Sequence, residues 1–95
     1  MPLIFPDIQQ LEVVEEDVEE QLPAKLIVWN DDINSFDWVI ESLMKVCEHT
    51  EEQAAQCAWI IHTKGKYAVK SGALSELKQM REALVERLIG ATIEY

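Results

Sequence analysis

Four apolar residues, Leu26-Ile27-Val28-Trp29, run without a break into three consecutive Asx side chains, Asn30-Asp31-Asp32, and a helical period opens at Phe36. No other stretch constrains the fold as tightly. A short apolar run bounded by turn-forming residues fits a buried strand, here Lys25–Trp29. Asx side chains bond to their own backbone and so compete with regular structure, which stops the strand and turns the chain. Phe36, Val39, Ile40, Leu43, Met44 and Cys47 then share one stripe at 3.6-residue spacing, which predicts an amphipathic helix over Phe36–Cys47. Ser35 is its expected N-cap, and Asp37 is favourable in the first turn.

A second helix announces itself through Thr50-Glu51-Glu52-Gln53, a capping box in which Thr and Gln satisfy each other's amides. It continues through Ala54, Ala55, Cys57, Ala58, Trp59, Ile61 and His62 to a C-cap at Gly65. Tyr67-Ala68-Val69 reads as a short strand and Ser71-Gly72 as a turn. A third helix is expected over Ala73–Ile89, with Leu77, Met80, Leu84 and Leu88 inward and Gly90 ending it. Ala91-Thr92-Ile93-Glu94 is a last strand. The order β-α-α-β-α-β predicts an α+β sandwich, a three-stranded antiparallel sheet covered by three helices.

A length of 95 residues supports one domain, and an apolar fraction of 48% argues against wholesale disorder. The net charge of −10 is unevenly spread. Residues 1–23 hold seven acids (Asp7, Glu12, Glu15, Glu16, Asp17, Glu19 and Glu20) and no base. Residues 24–95 hold eleven acids and eight bases. The expected organisation is a flexible acidic N-terminal extension, 1–23, before a nearly neutral core domain, 24–95. Such a balance repels phosphate backbones and argues against nucleic acid as a partner. No apolar stretch approaches the ~18–20 residues of a membrane span. The start, Met-Pro-Leu-Ile-Phe-Pro, lacks the basic region and long apolar core of a secretory signal. Cys47 and Cys57 sit in separate helical patterns, poor support for a disulfide framework, and a cytoplasmic location is expected.

The candidate sites each have a plain structural reading. Asn30, Asp31 and Asp32 can simply close a strand-to-helix turn. They lack the alternating ligands and following Glu of a calcium loop. His62 in the last turn of a helix favours the dipole and can bond a terminal carbonyl. Cys47, His49, Cys57 and His62 match no zinc spacing, so neither metal nor cofactor is expected. The chain has no Gly-rich phosphate loop, HExxH or GxSxG motif, so nothing reads as an enzyme.

Taken together, Ile27-Val28-Trp29-Asn30-Asp31-Asp32, then Phe36-x-x-Val39-Ile40-x-x-Leu43, then Ala54 to Ile61-His62-x-x-Gly65-Lys66, resemble the ClpS adaptor family. The resemblance covers about Leu26–Ile93. It implies recognition of N-degrons, proteins that begin with Phe, Tyr, Trp or Leu, and their delivery to a Clp AAA+ unfoldase of the ClpA or ClpC type and its protease. By the resemblance, Asn30, Asp31 and His62 would accept hydrogen bonds from the free α-amine, while Asp32 would fix the loop or strengthen the local negative potential. Val28, Asn34, Phe36, Val39, Ala58 and Ile61 would line an apolar pocket for the first side chain, with Ile89 at the rim. Glu76 and Lys78 fall where the family meets its unfoldase. The acidic extension, if unstructured, spans tens of ångströms and can reach the unfoldase's channel.

The chain departs from the family at three points. Asn34-Ser35 stands where Thr-Pro is common, and Phe36 and Ala58 each stand where a Met is common. The Met replaced by Ala58 helps the family exclude β-branched first residues, so a reshaped specificity is expected. The competing expectation is a non-catalytic interaction domain resembling the C-terminal domain of the ribosomal stalk protein, which would ignore free amines. A third is a hydrolase using Cys57 or Asp31.

Overall fold

The apolar run at the start of the domain becomes the central strand of a three-stranded antiparallel sheet. The computed structural model describes residues 23–95. Of the expected extension, 1–23, residues 1–22 lie outside them, while Pro23 opens the first strand and pairs with Ala73. In chain order the elements are β1 (Pro23–Trp29), α1 (Phe36–Cys47), α2 (Glu51–Lys64), β2 (Lys66–Ala73), α3 (Leu74–Glu86) and β3 (Ala91–Glu94). This is the expected β-α-α-β-α-β sandwich. The sheet order is β2-β1-β3, so β1 is paired on both sides. Ala24, Leu26 and Val28 point from β1 into the core. They meet Leu43 and Cys47 of α1, Ala54, Cys57 and Ile61 of α2, and Leu74, Leu77 and Leu84 of α3. Each large apolar side chain so buried contributes about 1.5–3 kcal/mol.

Local chemistry fixes the ends of the helices. The Ser35 hydroxyl caps α1 by accepting from the Trp38 amide at 3.1 Å. Thr50 and Gln53 form the expected capping box at the start of α2. Gly65 ends α2 with φ +93°, a conformation that carries a Cβ penalty for other residues. Nothing else explains a glycine there, since a Cβ would meet no atom within 4 Å.

Two regions differ from expectation. Ser71 and Gly72 form no turn. They extend β2, pairing with Lys25 and Ala24 of β1, and the ladder satisfies backbone groups that the turn residues left open. The register between the two strands slips once, because Leu26 faces Lys70 while Ile27 faces Ala68. Val69 is therefore the extra residue of a bulge. Its carbonyl accepts a hydrogen bond at 2.9 Å from His49 Nε2, which must carry the proton.

The second difference is the end of α3, which comes at Glu86 rather than Ile89. Leu88 adopts the left-handed conformation, φ +66°. The Ile89 amide donates to the Leu84 carbonyl at 3.0 Å and the Leu88 amide to the Val85 carbonyl at 2.9 Å. These two bonds define a Schellman motif built without glycine. The motif reverses the expected facing. Leu88 is 77% exposed while Ile89 is buried in the core, because the four-residue step from Leu84 to Leu88 holds only while the helix continues. Arg87 locks the same corner. Its Nε donates to the buried Ser42 hydroxyl at 2.8 Å, its guanidinium lies 4.3 Å from the Trp38 ring centroid, and its carbonyl accepts from Trp38 Nε1 at 3.0 Å.

An L-residue in the left-handed region costs about 1–2 kcal/mol, and the exposed Leu88 side chain recovers little of it. Leu88→Gly is expected to raise stability by about 0.5–1 kcal/mol after allowing for the looser unfolded chain, read as a higher urea midpoint at unchanged slope.

Candidate functional site

At the end of β1 the backbone is held from two directions. The Trp29 amide donates to the Gly90 carbonyl at 3.0 Å, and the Asn30 amide to the Gly65 carbonyl at 2.8 Å. The second bond joins the strand end to the C-cap of α2, which places Asn30 beside the last turn of that helix and hence near His62. The intervening loop is closed by Asp31. Its Oδ1 accepts from the amides of Ile33 at 2.9 Å and Asn34 at 2.7 Å, and its Oδ2 accepts from Asn34 Nδ2 at 2.7 Å. The other hydrogen of that amide group goes to the Leu88 carbonyl at 2.8 Å. Asn34 thus ties the loop to the end of α3.

These bonds set the electrostatics. The Asn34 amide holds the Asp31 carboxyl below the usual carboxylate value; burial opposes it, and the Asn34 side chain and the Ile33 amide add smaller lowering contributions. Asp31 is therefore ionised at neutral pH. Asp32 is exposed and makes no hydrogen bond among the described residues. Of the two adjacent acidic side chains, the one that fixes the loop is Asp31, while Asp32 stays open to solvent.

A cleft of about 440 Å³ opens beside this loop, lined by Asn30, Asp31, Asp32, Asn34, Phe36, Val39, Ala58, Ile61 and His62. Its polar end is the Asx loop with His62. Its apolar wall comes from the start of α1 and the middle of α2. Phe36, the first residue of α1, meets His62 edge-to-face with ring centroids 6.4 Å apart. Ala58 and Ile61 are nearly buried, whereas Phe36 remains 41% exposed. An aromatic face open to water beside two carboxylates suits a ligand that is apolar at one end and cationic at the other.

The structure gathers most of the sequence-derived candidates into this cleft. Val28 and Ile89 are exceptions, since both are buried in the core and do not line it. Val28 faces inward from β1, and Ile89 is drawn under by the Schellman motif. Glu76 and Lys78 are exposed on the first half of α3, outside the cleft. Two contributors were not anticipated. The Leu88 carbonyl gave no sequence signal, because any residue has one. Trp59 also lies near His62, ring centroids 6.3 Å apart; its place three residues before His62 puts both on one helix face. Cys47 and Cys57 are unbridged and buried, and burial pushes the Cys47 thiol up to about 11, so neither is a ready nucleophile. No group of three or more potential metal ligands exists among the described residues, and no helix among them is long and apolar enough to cross a membrane.

The family model described as ATP-dependent Clp protease adaptor protein ClpS matches residues 19–89. The ClpS adapter protein of Corynebacterium aurimucosum is 31% identical over 71 residues, covering 75% of this chain and 64% of that protein. That of Shewanella pealeana is 40% identical over 62 residues, covering 61% of each chain. The chain therefore spans a little under two thirds of the length of these relatives. Among solved structures, Agrobacterium tumefaciens ClpS2 bound to L-phenylalaninamide superposes with a TM-score of 0.71 at 19% identity, covering 78% of this chain and 96% of that one. This likeness is one of fold.

Removing the tie through Asn34 tests the architecture of the site. Asn34→Ala should cost about 1 kcal/mol of stability from its side-chain bonds, and the Asp31 carboxyl should titrate closer to its ordinary value by NMR. A carboxyl lowered in the folded state stabilises it above the unfolded pKa and loses that contribution as pH falls through the folded value. The loop amides of Ile33 and Asn34 should therefore stay protected at neutral pH and lose protection only in acid, earlier in Asn34→Ala than in the parent chain.

Proposed function

Because the chain belongs to the ClpS family of ATP-dependent Clp protease adaptors, we propose that it binds the free N-terminal amine and bulky apolar first residue of N-degron proteins and delivers them to a Clp AAA+ unfoldase. It is not an enzyme, since the family is one of adaptors. The observation that carries the proposal is the two-ended cleft. An α-ammonium group has three donors and needs acceptors placed around it. The Asn30 side-chain carbonyl, the lone pairs that Asp31 retains, and a ring nitrogen of His62 supply them, with the exposed Asp32 carboxyl beside them. Charge-assisted bonds of this kind contribute about 1.5–3 kcal/mol each. The first side chain then enters between α1 and α2 against Phe36, Val39, Ala58 and Ile61, where burial is worth about 1.5–3 kcal/mol. ClpS2, which shares the fold, is in complex with L-phenylalaninamide. That molecule joins a free amine to a benzyl group, the same pair of features.

Both anchors are required together, so affinity after association costs falls near the micromolar range (~−8 kcal/mol). That strength suits cargo that must be released. Glu76 and Lys78, exposed on α3, lie outside the cleft and are free to contact the unfoldase while cargo is bound. The acidic residues before Pro23 would engage the same partner.

Fluorescence anisotropy with peptides beginning Phe, Leu, acetyl-Phe and Ala tests the reading. Phe and Leu should bind, acetylation should weaken binding at least ten-fold, and Asp32→Asn should reduce affinity with the fold intact. Equal binding of Phe and acetyl-Phe overturns amine capture.

Specificity follows from Ala58. A small residue in the apolar wall leaves space that a methionine would fill, so Ile and Val peptides should bind within about ten-fold of Leu (~1.4 kcal/mol). Ala58→Met should widen that gap and weaken Trp most, by overpacking of about 1 kcal/mol or more. Strong rejection of Ile and Val by the parent chain would refute this reshaping.

A further inference from the structure

We infer that Trp29 is a positioning residue for amine capture: its indole, on the face of the sheet turned away from the cleft, fixes the end of β1 so that Asn30 meets the amine in one orientation. This inference rests on the amine-capture reading above. Val28 is buried in the core, and successive strand residues point to opposite faces, so Trp29 points away from the three helices. It does not line the cleft, and it stays 41% exposed. Core packing therefore does not account for so large a ring at the last position of the strand.

The indole is gripped from both neighbouring strands. Its Nε1 donates to the Thr92 hydroxyl of β3 at 2.9 Å. On the other side Lys66, its partner in the β1–β2 ladder, holds its Nζ 4.8 Å from the ring centroid. Gly90 lies close to the root of the side chain, where an added Cβ would stand 3.9 Å from the Trp29 Cβ, and the Trp29 amide is bonded to the Gly90 carbonyl. One side chain thus spans all three strands at the level where β1 ends. An exposed cation–π contact and a single neutral hydrogen bond are each modest, but together they leave the ring one place to lie.

The place of that grip along the chain gives it a function. Asn30 follows directly, and its amide donates to the carbonyl of Gly65, the residue before Lys66. Asn30 with Gly65 and Trp29 with Lys66 are therefore adjacent links between the same two segments. A strand end that frayed would carry the Asn30 side chain with it, and a binding group works only when neighbours with locked rotamers hold it within about 0.5 Å of its geometry. Asp31 and Asn34 lock the loop beyond, but none of their bonds reaches Asn30. Trp29 and Gly65 supply that hold. The apolar wall belongs to α1 and α2, on the other face of the sheet, so the effect of the indole falls on the amine end alone.

The test compares a labelled peptide beginning with Phe and one beginning with a phenylpropionyl group, which keeps the benzyl side chain and lacks the amine without adding bulk. Both are titrated against the full chain, Trp29→Ala and Trp29→Phe. Trp29→Ala should bind the Phe peptide roughly three- to ten-fold more weakly, the range of mutations that act without touching the ligand, and the desamino peptide as the parent chain does. Trp29→Phe keeps a ring beneath Lys66 and should restore most of the loss. By hydrogen exchange, the Asn30 amide should open faster in Trp29→Ala while the amides of α2 keep their protection. If Trp29→Ala does not fold, Thr92→Val removes the acceptor of the indole alone and carries the same comparison. Loss of both peptides by one factor makes Trp29 merely structural and overturns the inference, as does parent-like binding of the Phe peptide by Trp29→Ala; amine capture stands in either case. Failure of the parent chain to prefer the Phe peptide over the desamino peptide overturns amine capture and this inference with it.

Discussion

The side-chain amide of Asn34 joins two parts of the chain that are 54 positions apart. One of its hydrogens is committed to Asp31 and the other to Leu88, so the loop after β1 and the corner after α3 hold one fixed relation. Much of the site depends on this. The carboxylate of Asp31 is oriented before any ligand arrives, which lowers the entropy lost on binding. The α3 corner is in turn pinned to α1 through Arg87, Ser42 and Trp38. The apolar wall and the polar end of the cleft are therefore parts of one braced frame, even though they come from distant segments.

The left-handed Leu88 fits into the same frame. A strained residue persists where its surroundings over-determine it, and here the helix end, the buried Ile89 and the Asn34 contact all require the one conformation. The strain places a carbonyl where the Asx loop needs an acceptor and turns Ile89 into the core.

Much of this organisation can be read from the residues. The apolar run into Asn30, the stripe from Phe36 to Cys47, the Thr50 capping box and Gly65 each state a local preference that agrees with the global fold, and the elements they predict are present. The resemblance of the motifs then named nine residues that line one cleft. What could not be read depends on tertiary context. A Schellman motif with leucine in place of glycine leaves no signal, and the helical period running on through Leu84 and Leu88 points the wrong way. Ser71-Gly72 looks like a turn until β1 lies alongside to pair with it. Matching by position identified Val28 and Ile89 but not the face on which each lies. Two adjacent aspartates are indistinguishable by spacing, and only the amides of Ile33 and Asn34 decide that Asp31 is the structural one.

The bulge at Val69 has a bearing on how such a domain handles extended chains. β2 is an outer strand of the sheet, and an outer strand offers its unpaired groups to any stretch of polypeptide that drifts by. The displaced register and the imidazole already seated on the Val69 carbonyl interrupt that offer in mid-strand. β3, on the opposite margin, is only four residues long. A domain with both margins interrupted in this way is protected from zipping onto passing polypeptide.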